Sequence, residues 1–105
     1  MTAVPVMALA DLGSRPHRIE HGDLDLVLVR QGDEVFALED RCSHGDVPLS
    51  EGEFSRGRLE CWLHGSTFDV RTGAPTCPPA VSPVRTFPVT IDDADGTATV
   101  FVEIG

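Results

Sequence analysis

Short apolar runs separated by clusters of glycine, proline and aspartate recur along the chain, a pattern typical of β-strands joined by turns. The longest run, LDLVLVR at residues 24–30, is apolar at five of its seven positions and predicts a largely buried strand. After a QGD turn signal the apolar pattern returns at residues 34–40, so the two segments predict an antiparallel hairpin that leads to Arg41. Shorter strands are predicted at residues 6–9, 17–20, 58–61 and 68–70.

Proline interrupts the second half of the chain. Residues 73–88 contain five prolines, and because proline cannot donate a hydrogen bond to a sheet, we predict extended loop or edge strand there. Residues 84–91 and 97–102 resume the apolar pattern on either side of an acidic turn, which predicts a last hairpin that returns to the N-terminal sheet. No segment has a sustained helical period, so no long amphipathic helix is expected.

Residues 45–57 are rich in turn-forming residues, with Leu49 and Phe54 as their predicted anchors in a small core. A length of 105 residues is sufficient for one domain with a modest core. No apolar run approaches the roughly 20 residues of a membrane helix, and residues 4–10 lack the basic flank of a secretory signal. We therefore expect one domain, residues 1–105, that is neither secreted nor bound to a membrane.

The charge of the chain excludes several classes of partner. Seventeen acidic residues stand against eight arginines, there is no lysine, and the formal net charge is −9. Nucleic acids and anionic lipids both need cationic contacts, so neither is expected as a partner. A protein partner with a basic docking face is compatible with this charge, although acidic surfaces commonly serve only to keep small proteins soluble.

Two short segments each pair one cysteine with one histidine. Cys42-Ser43-His44 is followed, after sixteen residues, by Cys61-Trp62-Leu63-His64. Two thiolates and two imidazoles could enclose a tetrahedral zinc ion. In common zinc modules, however, the two cysteines share one loop and the two histidines another. A mixed pair in each loop suits a [2Fe–2S] cluster in which both cysteines bind one iron and both histidines bind the other.

This pattern resembles the Rieske family, with its C-x-H motif and its C-x2-H motif followed by a glycine, here Gly65. The resemblance continues through FDV at residues 68–70 and TG at 72–73, and CPPA at 77–80 matches the proline-containing cover loop of the family. It implies one [2Fe–2S] cluster per chain with four iron ligands, Cys42, His44, Cys61 and His64. In similar proteins the two histidines lie at the surface and form the electron exit.

The same resemblance implies the architecture. It indicates an all-β fold, a Rieske-type antiparallel β-sandwich into which a small cluster-binding β subdomain is inserted. The subdomain would span about residues 41–80, and the base domain would be formed by residues 1–40 and 81–105. Pro78 and Pro79 would stiffen the cover of the cluster.

Departures from the family pattern also carry information. High-potential Rieske proteins have an additional cysteine in each loop, joined as a disulfide, and Val47 and Leu63 stand at those positions. Phe68 stands where those proteins use a tyrosine hydroxyl to bond the cluster, whereas Ser66 keeps the serine. The resemblance therefore implies the low-potential soluble ferredoxin branch, with a midpoint potential on the order of −150 mV.

Several neighbouring residues leave two interpretations. Ser66 either donates a hydrogen bond to a cluster sulfur or caps its own loop. Trp62 and Leu63 either form an apolar rim around the histidines or lock the two loops together, and locking is favoured for Leu63. Cys77 is left without a cysteine partner in a monomer and is expected to be a small buried hydrophobe. No structural disulfide is therefore expected, which favours a reducing cytoplasm.

The resemblance implies an electron carrier without a substrate of its own, and so no enzyme. The leading model is the ferredoxin component of bacterial aromatic-ring dioxygenase systems, which passes electrons from a flavin-dependent reductase to a terminal oxygenase. The sequence has no G-x-G-x-x-G fingerprint for a nucleotide cofactor and no two-histidine, one-carboxylate iron site, so it depends on other proteins.

Three alternatives remain open. The chain also resembles small Rieske proteins associated with iron–sulfur cluster assembly machinery, and this alternative changes the partner rather than the chemistry. A small subunit of an assimilatory nitrite reductase has the same fold but often lacks the ligands, which this chain retains. A zinc-stabilised interaction module is the structural alternative, with one zinc in place of the cluster.

Overall fold

The structure is a computed structural model that describes residues 2–42, 47–63, 65–77, 82–93 and 96–104. Within these residues, eleven β-strands form three antiparallel sheets, and none of the helices is long or apolar enough to cross a membrane. The strands are β1 Thr2–Ala8, β2 His17–His21, β3 Leu24–Gln31, β4 Glu34–Glu39, β5 Glu53–Ser55, β6 Arg58–Glu60, β7 Thr67–Asp69, β8 Pro75–Cys77, β9 Thr86–Phe87, β10 Val89–Asp92 and β11 Thr99–Ile104. The two short 3₁₀ helices are Leu9–Asp11 and Leu49–Glu51.

Strand β3 is buried on both faces. Its central residues are fully buried, and they alternate between two hydrophobic cores. Val27 and Val29 face the core that contains Cys42 and Cys61, which we call the site core, whereas Leu26 and Leu28 face a second core, the base core. Successive side chains of a strand point to opposite faces. A continuous apolar run is therefore what a strand between two cores requires.

The predicted hairpin at residues 24–40 is confirmed. Strand β3 pairs with β4 from Leu26 opposite Glu39 to Gln31 opposite Glu34. Strand β2 adds to the outer side of β3, and β9 adds to the outer side of β4, which gives the sheet order β2-β3-β4-β9. The hairpin thus leads the chain to Cys42, which lies in the site core.

The last hairpin is present, but its bounds differ from the prediction. The residues predicted as one strand, 84–91, divide at Pro88, which has no N–H to donate: β9 pairs with β4, and β10 pairs with β11. The β10–β11 hairpin joins β1 in a separate three-stranded sheet, not the sheet of β2 to β4. The predicted return to the N-terminal end of the chain is thus confirmed for β1, whereas β2 to β4 belong to a different sheet.

The first strand is also longer than predicted. It begins at Thr2 rather than at residue 6, and Leu9 already belongs to a 3₁₀ helix. Pro5 lies inside it without breaking the sheet, because β1 is an edge strand and pairs only with β11. A register shift between Pro5 and Met7 marks the position where the ladder is irregular.

A third sheet, in the order β5-β6-β7-β8, carries the segment that contains Cys61. The predicted strands at 58–61 and 68–70 correspond to β6 and β7, and β8 is an edge strand that begins at Pro75, as predicted for the proline-rich stretch. The turn-rich segment 45–57 contains β5, which was not predicted as a strand. Leu49 is fully buried in the site core and Phe54 packs against it, so both predicted anchors are confirmed.

An exposed ion pair joins the third sheet to the β3–β4 hairpin. The guanidinium of Arg71 donates to both carboxylate oxygens of Glu34, at 2.7 and 3.0 Å, and lies 5.0 Å from the ring centroid of Phe36. The hydrogen bonds from Arg71 lower the pKa of Glu34. A lowered pKa in the folded state means that this contribution to stability is present above the ordinary glutamate pKa and is lost as the pH falls through the lowered one.

The turn between β5 and β6 provides a test of backbone strain. Its two central residues both have positive φ, +54° for Arg56 and +76° for Gly57, a combination that favours Asn-Gly. A side chain such as arginine costs about 1 kcal/mol in this conformation. Arg56→Asn is expected to raise the free energy of unfolding by about 0.5–1 kcal/mol in a urea titration. Arg15→Asn, which removes the same charge at a residue without positive φ, is the control and should give no gain.

The contact of Gly52 with Glu60 provides a second test. A Cβ atom at Gly52 would overlap the carbonyl oxygen of Glu60 and lie 2.9 Å from its carbonyl carbon, and both are backbone atoms that cannot rotate away. Gly52→Ala is therefore expected to lower the free energy of unfolding by roughly 1–3 kcal/mol. Gly13→Ala is the control, since nothing lies within 4 Å of its added Cβ. Equal stability of the two variants would contradict the close contact.

Candidate metal centre

The two cysteines of the motif are buried together in the site core. Cys42 follows β4 and is 2% exposed, and Cys61 follows β6 and is 1% exposed. They share this core with Leu59, Phe68 and other apolar side chains from the two sheets. The chain therefore brings two sulfur atoms from distant parts of the sequence into one apolar region.

Both cysteine loops are closed by a backbone hydrogen bond of the same pattern. The N–H of Cys42 donates to the carbonyl of Val47 at 2.9 Å, and the N–H of Cys61 donates to the carbonyl of Ser66 at 2.7 Å, so each bond spans five residues. Gly65 adds a bond from its N–H to the carbonyl of Cys61 at 3.0 Å, and its φ of +75° explains the glycine of the motif. Each cysteine thus begins a short closed loop.

The chain on either side of the two loops is held in different ways. The loop that begins at Cys61 lies between paired strands, with Glu60 opposite Thr67 in the β6–β7 ladder. The loop that begins at Cys42 connects β4 to the 3₁₀ helix Leu49–Glu51. Here the buried carboxylate of Asp40 accepts hydrogen bonds from the backbone N–H and the hydroxyl of Ser50, at 2.7 and 2.6 Å.

Arg18 on β2 supplies positive charge to this carboxylate. Its guanidinium lies 2.9 Å from Asp25, 3.2 Å from Asp40 and 3.5 Å from Glu20. Burial alone would lower the pKa of Arg18, but the nearby carboxylates outweigh it and raise the pKa. Arg18 is therefore a permanent cation next to the buried Asp40.

Four of the predicted site residues lie outside the described residues. These are the two predicted imidazole ligands and the two prolines of the cover, His44, His64, Pro78 and Pro79. Their roles stay predictions. Ser66 is fully buried and its carbonyl closes the second loop, but whether its hydroxyl bonds a cluster sulfur also stays a prediction.

The exposure of neighbouring side chains bears on two expectations. Leu63, for which locking of the loops was favoured, is 41% exposed, and Trp62 is 53% exposed. This exposure favours the rim interpretation for both. Cys77 was expected to be buried, but it is exposed because it ends β8, an edge strand that contacts only β7 in its sheet. His17 and His21 are exposed, as predicted.

The pairing of Asp40 with Ser50 was missed by sequence reasoning. The only sequence signal was an acidic residue at the end of an apolar strand, two positions before Cys42. Such a residue would ordinarily be interpreted as part of an exposed turn. Nothing in the apolar pattern indicates that its side chain is buried.

The donor set fits the cysteine side of a Rieske-type cluster. Thiolates are soft ligands that suit iron–sulfur clusters or zinc and do not suit magnesium or calcium. None of the three cysteines, all of which are described, forms a disulfide, so neither buried sulfur is bonded to another cysteine. The apolar side chains around them are of the kind that control access of water to a metal site.

Comparison with known proteins identifies the family. The Rieske [2Fe–2S] domain model matches residues 2–88. The chain is 49% identical over 72 residues to the anthranilate 1,2-dioxygenase ferredoxin subunit of Burkholderia cepacia. This alignment covers 69% of this chain and 67% of that protein.

Solved structures agree with this match. The ferredoxin of carbazole 1,9a-dioxygenase from Nocardioides aromaticivorans IC177 is 36% identical, with a TM-score of 0.92 over 100% of both chains. A chain in the complex of reduced oxygenase and oxidised ferredoxin of carbazole 1,9a-dioxygenase is 33% identical, with a TM-score of 0.82 over 95% of this chain and 91% of that one. These matches confirm the predicted all-β Rieske-type fold. The chain belongs to the Rieske [2Fe–2S] family, as a ferredoxin that carries single electrons on one cluster and is not itself an enzyme.

Proposed function

We propose that this ferredoxin passes electrons from a flavin-dependent reductase to a terminal oxygenase. The observation that carries the proposal is its likeness, over the whole length of both chains, to the ferredoxin of a dioxygenase system. The relatives named above serve systems with different substrates, anthranilate and carbazole, on the same fold. The substrate is therefore a property of the oxygenase, and the ferredoxin is required to recognise only its two protein partners.

The ligand set is part of the proposal. Cys42 and Cys61 would bind one iron, and His44 and His64 would bind the other. The burial of both cysteines in one core and the identical closure of their loops support the first half of this assignment. When bound, the cluster supplies one reversible electron per cycle. The protein shields the two cysteines from water, because both are buried in the site core.

The partner contact is proposed at Trp62 and Leu63. Both side chains lie between Cys61 and His64 in the sequence, and both are exposed, whereas large apolar side chains elsewhere in the described chain are buried or half-buried. A small apolar contact fits the short-lived encounters of electron transfer, which bury little surface. The net charge of −9 would favour partners with a basic docking face.

The remaining proposals concern location and organisation. We place the protein in the cytoplasm as a monomer, because its cysteines form no disulfide, which is typical of a reducing compartment. We also propose that residues 41–80 form a subdomain inserted into the base formed by 1–40 and 81–105. The third sheet, which carries Cys61, and the separation of site core from base core support this division.

A redox titration of anaerobically purified protein, followed by electron paramagnetic resonance, tests the cluster and its cysteine ligands. We expect a rhombic signal in the reduced state and a midpoint on the order of −150 mV. Cys42→Ser should abolish the signal. Cys77→Ser, at an exposed cysteine outside the site core, is the matched control and should retain it. One zinc per chain with no acid-labile sulfide would instead identify a zinc-stabilised module.

Electron delivery to a terminal oxygenase tests the partner. Trp62→Ser is expected to slow reduction of the oxygenase about tenfold, equivalent to loss of ~1.4 kcal/mol at the contact. Trp62→Phe keeps an apolar ring and should restore most of the rate, and both variants should keep the midpoint potential. Absence of transfer to any oxygenase, together with co-purification of cluster-assembly proteins or a sirohaem subunit, would contradict the proposed partners.

A further inference from the structure

The two cysteine loops differ in what fixes their ends. Around the second loop, β6 and β7 continue as a ladder, with Glu60 opposite Thr67 and Leu59 opposite Phe68. The first loop is entered from β4 and left through the 3₁₀ helix Leu49–Glu51, which belongs to none of the three described sheets. Backbone pairing therefore holds both sides of the second loop, whereas the described residues on the two sides of the first loop form no ladder with each other.

The side chain of Asp40 links the two sides of the first loop. It stands two residues before Cys42, and Ser50 stands three residues after Val47, whose carbonyl closes the loop. One carboxylate oxygen accepts from the N–H of Ser50 at 2.7 Å, and the other accepts from its hydroxyl at 2.6 Å. Hydrogen bonds to a charged carboxylate are shorter and stronger than neutral ones. The two contacts together fix Ser50 in both position and orientation.

The backbone of Asp40 is itself anchored. Its N–H donates to the carbonyl of Asp25 at 2.9 Å, at the start of β3. The carboxylate therefore extends from a fixed point of the base, and Ser50 on the far side of the loop is held against that point. Asp40 thus connects β3, whose centre is fully buried, to both ends of the first loop.

Arg18 compensates the negative charge of the buried Asp40 carboxylate. The side chain of Asp40 has no exposed surface, and an uncompensated charge in that environment would be strongly unfavourable. Nη1 of Arg18 donates to the oxygen of Asp40 that also accepts the hydroxyl of Ser50, at 3.2 Å. A charge compensated in this way is retained as an ionised acceptor. The structure thus keeps a charged carboxylate, which is unfavourable to bury, beside the first loop.

We propose that Asp40 is a positioning residue of the iron–sulfur site, which holds the two ends of the Cys42 loop together as the β6–β7 ladder holds the Cys61 loop. The inference rests on the proposed ligand roles of Cys42 and His44 and deepens them. Its consequence is that retention of the cluster and the geometry of half its ligands depend on one side chain outside the ligand set.

Substitutions of graded severity test this role by the rate at which a chelator removes iron from the loaded ferredoxin. Asp40→Ala removes both acceptors, and we expect iron release to be about tenfold faster or more. Asp40→Asn keeps an oxygen for the N–H of Ser50 and should lie between the wild type and Asp40→Ala. Ser50→Ala removes only the hydroxyl contact, and its effect should disappear in the Asp40→Ala background.

Val100→Ala is the matched control for general loss of stability. Val100 is fully buried in the base core, so its truncation weakens the fold without touching either cysteine loop. Asp40→Ala should also change the g-values or line width of the reduced-state resonance signal, which a general loss of stability would leave unchanged. Val100→Ala should keep the wild-type signal.

The possible outcomes separate the inference from the proposed function. If wild-type protein holds no [2Fe–2S] cluster after anaerobic purification, the ligand assignment fails and the inference falls with it. If the wild type holds the cluster, but Asp40→Asn, Asp40→Ala and Ser50→Ala release iron no faster than Val100→Ala with an unchanged signal, the inference alone is overturned. Should Asp40→Ala not fold, the asparagine and Ser50 variants still decide the question.

Discussion

The burial of β3 between two cores is the constraint on which the rest of the structure depends. Val27 and Val29 on one face pack in the core that contains both cysteines, and Leu26 and Leu28 on the other face pack against the base. Because successive residues serve different cores, neither face of the strand can be made polar without cost to one of them. The site is consequently attached to the base through a shared strand and does not behave as an independent loop-bound metal module.

The cysteine side of the site is buried and the side of Trp62 and Leu63 is exposed, and this asymmetry suits an electron carrier. Cys42 and Cys61 lie among buried side chains, whereas Trp62 and Leu63, which directly follow Cys61, are exposed. Thiolates in the core are protected from oxidation and exchange because solvent does not reach them. The partner contact proposed at Trp62 and Leu63 thus lies on the exposed part of the site, while the buried cysteines lie in the core that stabilises the fold.

Much of the fold followed from the apolar pattern, and the failures have physical causes. The 24–40 hairpin was predictable because a run buried on both faces, followed by a turn signal, has few other structures open to it. The separation of β9 from β10 depended on which sheet each strand joins, a tertiary choice that local pattern does not contain. The exposure of Cys77 and Leu63 likewise reflects the position of an edge strand and a loop tip, and the side-chain bridge from Asp40 to Ser50 has no periodic signal at all.

Phe68 connects the packing of the site to its chemistry. It is fully buried in the site core, so at this position the chain has an aromatic ring that fills space but no hydroxyl that could donate to a cluster sulfur. Hydrogen bonds to the sulfurs are one of the factors that set the potential of an iron–sulfur cluster, and they raise it. Replacing a donor by a purely apolar ring therefore keeps the packing while favouring the oxidised state. The expectation of a low potential therefore rests on Phe68, which fills the site core without supplying a donor.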